Sequence, residues 1–440
     1  MATNPTSNTG GKTLKDLMTS PPFRECPLCR APRYGVAILF GGERSYERRC
    51  LACGYDELCE FPVLSKSIVY VDQFLISNVA KLLDPESRAV ERVRRQPFWT
   101  AVYKKLTRLV RLHAVSCPQS LFHDEESLLS GDPSFDSLET VYEHFSGGAR
   151  FKDSETILSL QAQQTFATLL DARSVRRTIE TQDVLSSDHN AWLGHLRVRV
   201  QIPRSQADIR EVRRLRRGGA KTLNAIFTEW QFRGESYADT QTLEARSFGP
   251  SMIKLTHEYY QQLQASTVFA LPPPAAVLVN TLRAVAEQAG VSRELALTRV
   301  VDFLRSDAFC DLPRVELSSH LYASMARKAA SGQKRLPSSG FSTDVVALST
   351  LFPYCDAMFV DNEMAAFFSE EPLRSVASKF GTKLFCLHRK EEFLQYLDDI
   401  EHRIGADLLS TIRDVYPPDW LDAPAGLIVA ARQRRARDAK

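Results

Sequence analysis

No stretch of this 440-residue chain is apolar for long enough to cross a bilayer; the best candidate, 268–279, is broken by Pro272-Pro273-Pro274. The opening segment, M-A-T-N-P-T-S-N-T-G-G-K, lacks the apolar core of a secretion signal. An excess of one charge is missing too. Lys and Arg number 56 against 53 Asp and Glu, a net of +3, so affinity for a polyanion has to come from local patches. Nine cysteines, an odd number with no secretion signal, argue against a disulfide framework and for reduced thiols and metal binding. No Ser/His/Asp or Cys/His set stands in the context a nucleophilic hydrolase needs. What is present is ordinary globular composition, 44% hydrophobic and 25% charged, in a chain long enough for two or three domains. No membrane partner is expected, and the expected location is the cytoplasm.

The cysteines are informative by spacing. Cys26-Pro-Leu-Cys29 and Cys50-Leu-Ala-Cys53 are two C-x-x-C knuckles, and four thiolates so placed can close a tetrahedral site around one structural Zn2+. Between them, 34–49 has a hairpin pattern with Gly41-Gly42 at its turn. This predicts a zinc ribbon over 21–62, after a polar, disordered lead-in over 1–20. Arg24, Arg30, Arg33, Arg44, Arg48 and Arg49 surround the ribbon. They suit phosphate contact or the stabilisation of a fold or partner interface equally well.

The stretch that organises the chain runs from Ser342 to Glu363. Ser342 or Thr343 can cap a helix with Asp344 in its first turn, where a carboxylate is favoured. Val345, Val346, Leu348 and Leu351 then fit a buried helical face. After Pro353, Ala357-Met358-Phe359-Val360 suits a buried parallel strand ending at Asp361. Asp356 begins that strand and is a reserve candidate, expected to face away. Much earlier, Ile68-Val69-Tyr70-Val71 is another apolar strand ending in an acid, Asp72. A strand at 113–117 leads into a helix carrying His123, Glu125 and Glu126. His123 and Glu126 share a helix face, so Glu126 is preferred to Glu125 as the acid that looks in, with His123 as a packing or hydrogen-bonding neighbour.

Strand–Asp72, helix–Glu126, helix–Asp344, strand–Asp361 is an order that resembles the PIN-domain nucleases. The resemblance covers 68–130 and 341–404 and is interrupted by some two hundred residues. It implies an α/β fold with a PIN-like parallel sheet flanked by helices, split as 63–130 and 341–404. A large, mostly helical insertion would occupy 131–340, and a C-terminal extension with a basic tail 405–440. It also implies that Asp72, Glu126, Asp344 and Asp361 are catalytic and hold Mg2+ or Mn2+, hard ions that take carboxylate oxygens.

The insertion carries no further catalytic motif. Its most basic part begins with an alternating strand bearing Arg197 and Arg199. Arg210, Arg213, Arg214, Arg216, Arg217 and Lys221 follow, then Trp230 and Phe232. Arginines followed by aromatics suit a nucleic-acid backbone and stacked bases; a solvated helix face is the plainer alternative. Farther on, a helix opened by Ser292 and Glu294 is expected to turn Leu295, Leu297, Val300, Val301 and Leu304 inward.

The expectation is therefore a metal-dependent nuclease, with RNA favoured over DNA. Two alternatives stand beside it: a binding or scaffold protein with a silent PIN-like domain, and a toxin or defence effector restrained by an inhibitory protein partner. The resemblance also admits a homo-oligomer.

Overall fold

A computed structural model describes residues 13–37, 42–129, 132–171, 178–194, 205–265 and 271–421. The protein is mixed α/β and predominantly helical, with two four-stranded sheets. The first sheet is antiparallel, in the order β1 (Thr19–Arg24), β2 (Tyr34–Ala37), β3 (Ser45–Cys50), β4 (Asp56–Glu60). Tyr34 pairs with Cys50, as a hairpin between the knuckles requires, while the turn at Gly41 lies outside the described residues. The lead-in is shorter than expected. A capped turn at Leu14–Leu17 and then β1 already belong to this sheet, and Arg49 ties the turn down by bonding Asp16 at 2.8 Å.

The second sheet is all parallel. Its order is β6 (Val115–Ser116), β5 (Ser67–Val71), β7 (Ala357–Phe359), β8 (Lys383–Phe385). These strands are short apolar runs because helices cover both faces. On one face, α1 (Gln73–Leu83) and α2 (Pro97–Arg111) bury Leu75, Ile76, Val79, Phe98, Trp99, Val102 and Leu106 against Val69, Val71 and Phe359. Pro97 starts α2 at its first position, where a missing N–H costs nothing, so the 86–112 stretch is two helices rather than one. Lys105 and Arg108 of α2 pair with Asp398 and Glu401 of the closing helix 390–402, so these two cations form a joint between the helices.

The other face is covered by the 131–340 stretch. Leu223, Phe227 and Trp230 of α4 (Gln206–Arg233) share one core with Ile68, Tyr70 and Met358 of the sheet. α3 (Leu121–Leu129) lies between that helix and the sheet edge. α5 (Phe341–Leu351) runs into β7 through a single 3-10 turn. Its buried Val345, Leu348 and Leu351 are on the expected face, whereas Val346 is half-buried. The helix Arg293–Leu304 turns Ala296, Val300, Phe303 and Leu304 inward. Leu295 and Leu297 are instead about half exposed, at 55% and 49%, because they fall off the face that repeats at three and four residues. The strand expected at 196–202 and the tail beyond 421 lie outside the described residues.

Candidate functional site

Two groups of ligand-type side chains stand apart in the structure, and they are built differently. In the antiparallel sheet the four sulfur atoms of Cys26, Cys29, Cys50 and Cys53 all lie within 4.8 Å of one another. Cys26 and Cys53 are 3.7 Å apart, Cys29 and Cys50 3.6 Å. Sulfurs bound tetrahedrally to zinc at ~2.3 Å would be about 3.8 Å apart, so the cysteines match a structural zinc. Each knuckle is folded by the same bond, from the amide four residues after its first cysteine back to that cysteine's carbonyl: Arg30 to Cys26, Gly54 to Cys50. Both donors are left-handed, at φ 60° and 76°; glycine fills one place and an arginine the other.

The carboxylates meet at the C-terminal edge of the parallel sheet, where strands end and helices begin. β5 and β7 are neighbours with Val71 opposite Phe359, so the acids that follow them emerge side by side. Asp72 caps α1, its Oδ1 accepting from the Phe74 amide at 3.2 Å. Asp361 caps the helix Asn362–Ser369 in the same way, accepting from Met364 at 2.7 Å. Asp344 lies in the first turn of α5, but the cap there is Gly340 and neither Ser342 nor Thr343 serves. Three of the four acids thus sit at helix N-termini, where the backbone favours negative charge. The fourth, Glu126, projects from α3.

All four are half-buried, and they act on one another. Burial, followed by the charges of Glu126 and Asp361, raises Asp72 from 3.8 to about 7 against the Phe74 and Gln73 amides. Burial, followed by Asp72, Glu126 and Asp361, raises Asp344 to about 9, with Arg216 opposing. Like charges gathered in a partly dry place hold protons for want of a cation. The acids do not yet form a closed ligand set, however. Among the described residues the cysteine quartet is the only group of three or more with all ligand atoms within 4.8 Å. Glu126 in particular is held by Arg216 at 2.6 Å.

Other candidates fall into place around this cluster. Glu126 is among the charges that raise Asp72 and Asp344, while Glu125 feels Arg216, Asp124 and Glu126. His123 is buried between the rings of Tyr70 and Tyr142, at 4.9 and 4.6 Å, and its Nδ1 accepts from the Ser120 amide at 3.1 Å. Burial lowers it to about 3, so it is a neutral packing residue. Asp356 is removed from the cluster: it lies at the opposite end of β7, where its Oδ2 accepts from the Ile68 amide at 2.7 Å. Asn362 accepts from the His388 amide at 3.3 Å.

Arg210, Arg213, Arg214, Arg216, Arg217 and Lys221 all lie on α4, while Arg197 and Arg199 lie outside the described residues. Arg214 is held by Glu211 at 2.6 Å. Trp230 is 4% exposed and belongs to the core, which withdraws it as a platform for bases; Phe232 stands free at 93%. Two neighbours of the cluster carry no sequence signature. Tyr70 is buried beside the acids, and the Tyr142 hydroxyl donates to Gln73, the residue after Asp72. The chain matches no protein-family model, no curated protein and no solved structure. The site alone carries the argument for function.

Proposed function

We propose that the protein is a metal-dependent nuclease with a PIN-like catalytic domain, hydrolysing phosphodiester bonds and preferring RNA. The observation that carries this reading is the convergence of Asp72, Glu126, Asp344 and Asp361. They arrive from two strand ends and two helices in the order the PIN resemblance requires, close enough to raise Asp72 and Asp344 together. An all-carboxylate donor set suits Mg2+ or Mn2+ and does not suit zinc in particular. These four residues would hold the ion. When bound, such an ion neutralises the acids, polarises a phosphoryl oxygen and makes a bound water a better nucleophile. The chain's own part is to fix the carboxyls. The two capping bonds orient Asp72 and Asp361, and the first turn of α5 orients Asp344. Glu126 is the adjustable member, because its partner is a side chain rather than a backbone amide.

A binding protein with a silent PIN-like domain is the second reading, favoured by the open spacing of the carboxylates. Divalent-ion dependence separates the two, since capture by arginines needs no ion. The test is cleavage of labelled single-stranded RNA and DNA by purified protein in Mn2+, Mg2+ or EDTA, beside the Asp72→Ala/Asp361→Ala double variant. Ion-dependent cutting that falls at least about a hundredfold in the variant upholds the nuclease, on the scale of a lost electrostatic catalytic group. Binding without cutting in every condition sinks it and leaves the silent domain.

A further inference from the structure

The basic helix α4 touches the acid cluster through one side chain. The Arg216 guanidinium donates to Glu126 at 2.6 Å across 90 residues of sequence, and its charge also reaches Asp344 and Glu125. On the other side, Arg216 lines an open cleft of about 490 Å³ together with Arg213, Arg217 and Lys221. Leu129, one turn beyond Glu126 on α3, and Ser339, just ahead of α5, complete the wall. Among the described residues no carboxylate lines the cleft.

Several surface arginines have a carboxylate partner: Arg108 with Glu401, Arg374 with Glu371, Arg389 with Glu392. Arg213, Arg217 and Lys221 have no ion-pair partner among the described residues. A solvated helix face would interleave acids at three- and four-residue spacing. From Arg213 to Lys221 the helix advances about 12 Å. That matches three or four phosphates of a stacked strand at ~3.4 Å apiece. The cleft opens beside the carboxylates, so a strand lying in it would pass them.

We propose that this cleft takes the phosphodiester backbone of a single-stranded polynucleotide, and that Arg216 moves from Glu126 to a backbone phosphate when a divalent cation occupies the acids. The first half stands on the cleft itself; the second rests on the part of the proposed function that puts a divalent cation on the four acids. Glu126 cannot serve a cation fully while it serves Arg216. A cation on Glu126 leaves Arg216 with a surplus charge, and the nearest place for an anion to meet it is the cleft. Cation and strand therefore bind with mutual reinforcement, and the linkage acts equally in both directions. Arg216 is a positioning residue in this scheme, touching the acids in one state and the strand in the other.

The test uses the full chain and a labelled phosphorothioate single strand of ten nucleotides, titrated by anisotropy at several salt concentrations in EDTA and in Mn2+. Mn2+ binding is read separately by electron paramagnetic resonance, with thermal melts confirming that each variant is folded. Arg213→Ala/Arg217→Ala/Lys221→Ala should weaken the strand at least tenfold in EDTA. It should also flatten the salt dependence by about 2 in the log–log slope, three contacts at ~0.7 each. Mn2+ should tighten strand binding several-fold in the wild type. Arg216→Ala should bind Mn2+ several-fold more tightly without the strand and lose the linkage, while Arg216→Lys should fall between.

An unchanged affinity and slope in the triple variant overturns the cleft as the backbone site. Mn2+ affinity unchanged or lowered in Arg216→Ala overturns the exchange. A wild type that shows the linked affinities but cuts neither RNA nor DNA sinks the nuclease and upholds this proposal.

Discussion

The cysteine quartet and the carboxylate cluster are both sets of four potential metal ligands, yet only the quartet has all its ligand atoms within 4.8 Å of one another. Its sulfurs come from two knuckles whose backbone bonds fix them locally, and neutral thiols do not repel. The acids come from four elements at opposite ends of the sequence and repel one another once ionised. The fold answers with helix N-termini for three of them and an arginine for the fourth.

This contrast can be broken most forcefully at the quartet. Cys50→Ser, or a mercurial that takes the thiolates, should unfold residues 26–60, because zinc in such sites contributes ~10–16 kcal/mol of folding free energy. Hydrogen exchange mapped along the chain checks this, beside a zinc count expected to be one per chain. Retained protection in 34–50 after zinc loss would show that the hairpin stands without its metal. Removing the cation from the carboxylates should unfold nothing.

The pH dependence sharpens the other side. Asp72 and Asp344 bind protons more tightly folded than free, since their folded values of about 7 and about 9 exceed 3.8. Their contribution to stability is complete below about pH 4 and is lost as pH rises through those values. Melting temperature in EDTA should therefore fall between pH 5 and pH 9. The loss should be on the order of 2–4 kcal/mol, allowing for solvent at a half-buried site. Mn2+ should remove most of the slope, and Asp344→Asn should flatten it in EDTA. Identical slopes in wild type and variant would show that the acids do not share their charge.

The smallest effect belongs to an acid that stands outside the contrast. Asp356→Ala leaves the Ile68 amide without its acceptor at a residue 1% exposed, costing about 1–3 kcal/mol. The measurement is a denaturant midpoint, with the ratio of cleavage in Mn2+ to that in EDTA expected to be unchanged. A changed ratio would return Asp356 to the site.

The sequence displayed what local rules govern. Apolar runs ending at Asp72 and Asp361 became neighbouring strands because short, wholly apolar segments have nowhere to go but between helices. The quartet needed only C-x-x-C twice. What failed depended on partners. Trp230 looked like a platform beside arginines, but α4 packs its far end onto the sheet and buries it. Leu295 and Leu297 were chosen for being apolar, while the face that repeats correctly runs through Ala296, Val300 and Phe303. The Arg30 turn hides a left-handed residue that glycine would have announced. Nothing near Arg216 in the chain names Glu126 as its partner.

The antiparallel sheet is also joined to the helix Ala406–Val415 near the other end of the described chain. Arg24 pairs with Asp414, the buried Arg48 donates to the Asp414 carbonyl, and Val36 and Tyr46 share a core with Val415 and Tyr416. The ribbon is consequently a clasp and not a detachable module. Cutting away the 406–416 helix should therefore loosen the cysteine-bearing sheet as well, although Asp414 follows Arg48 by 366 residues.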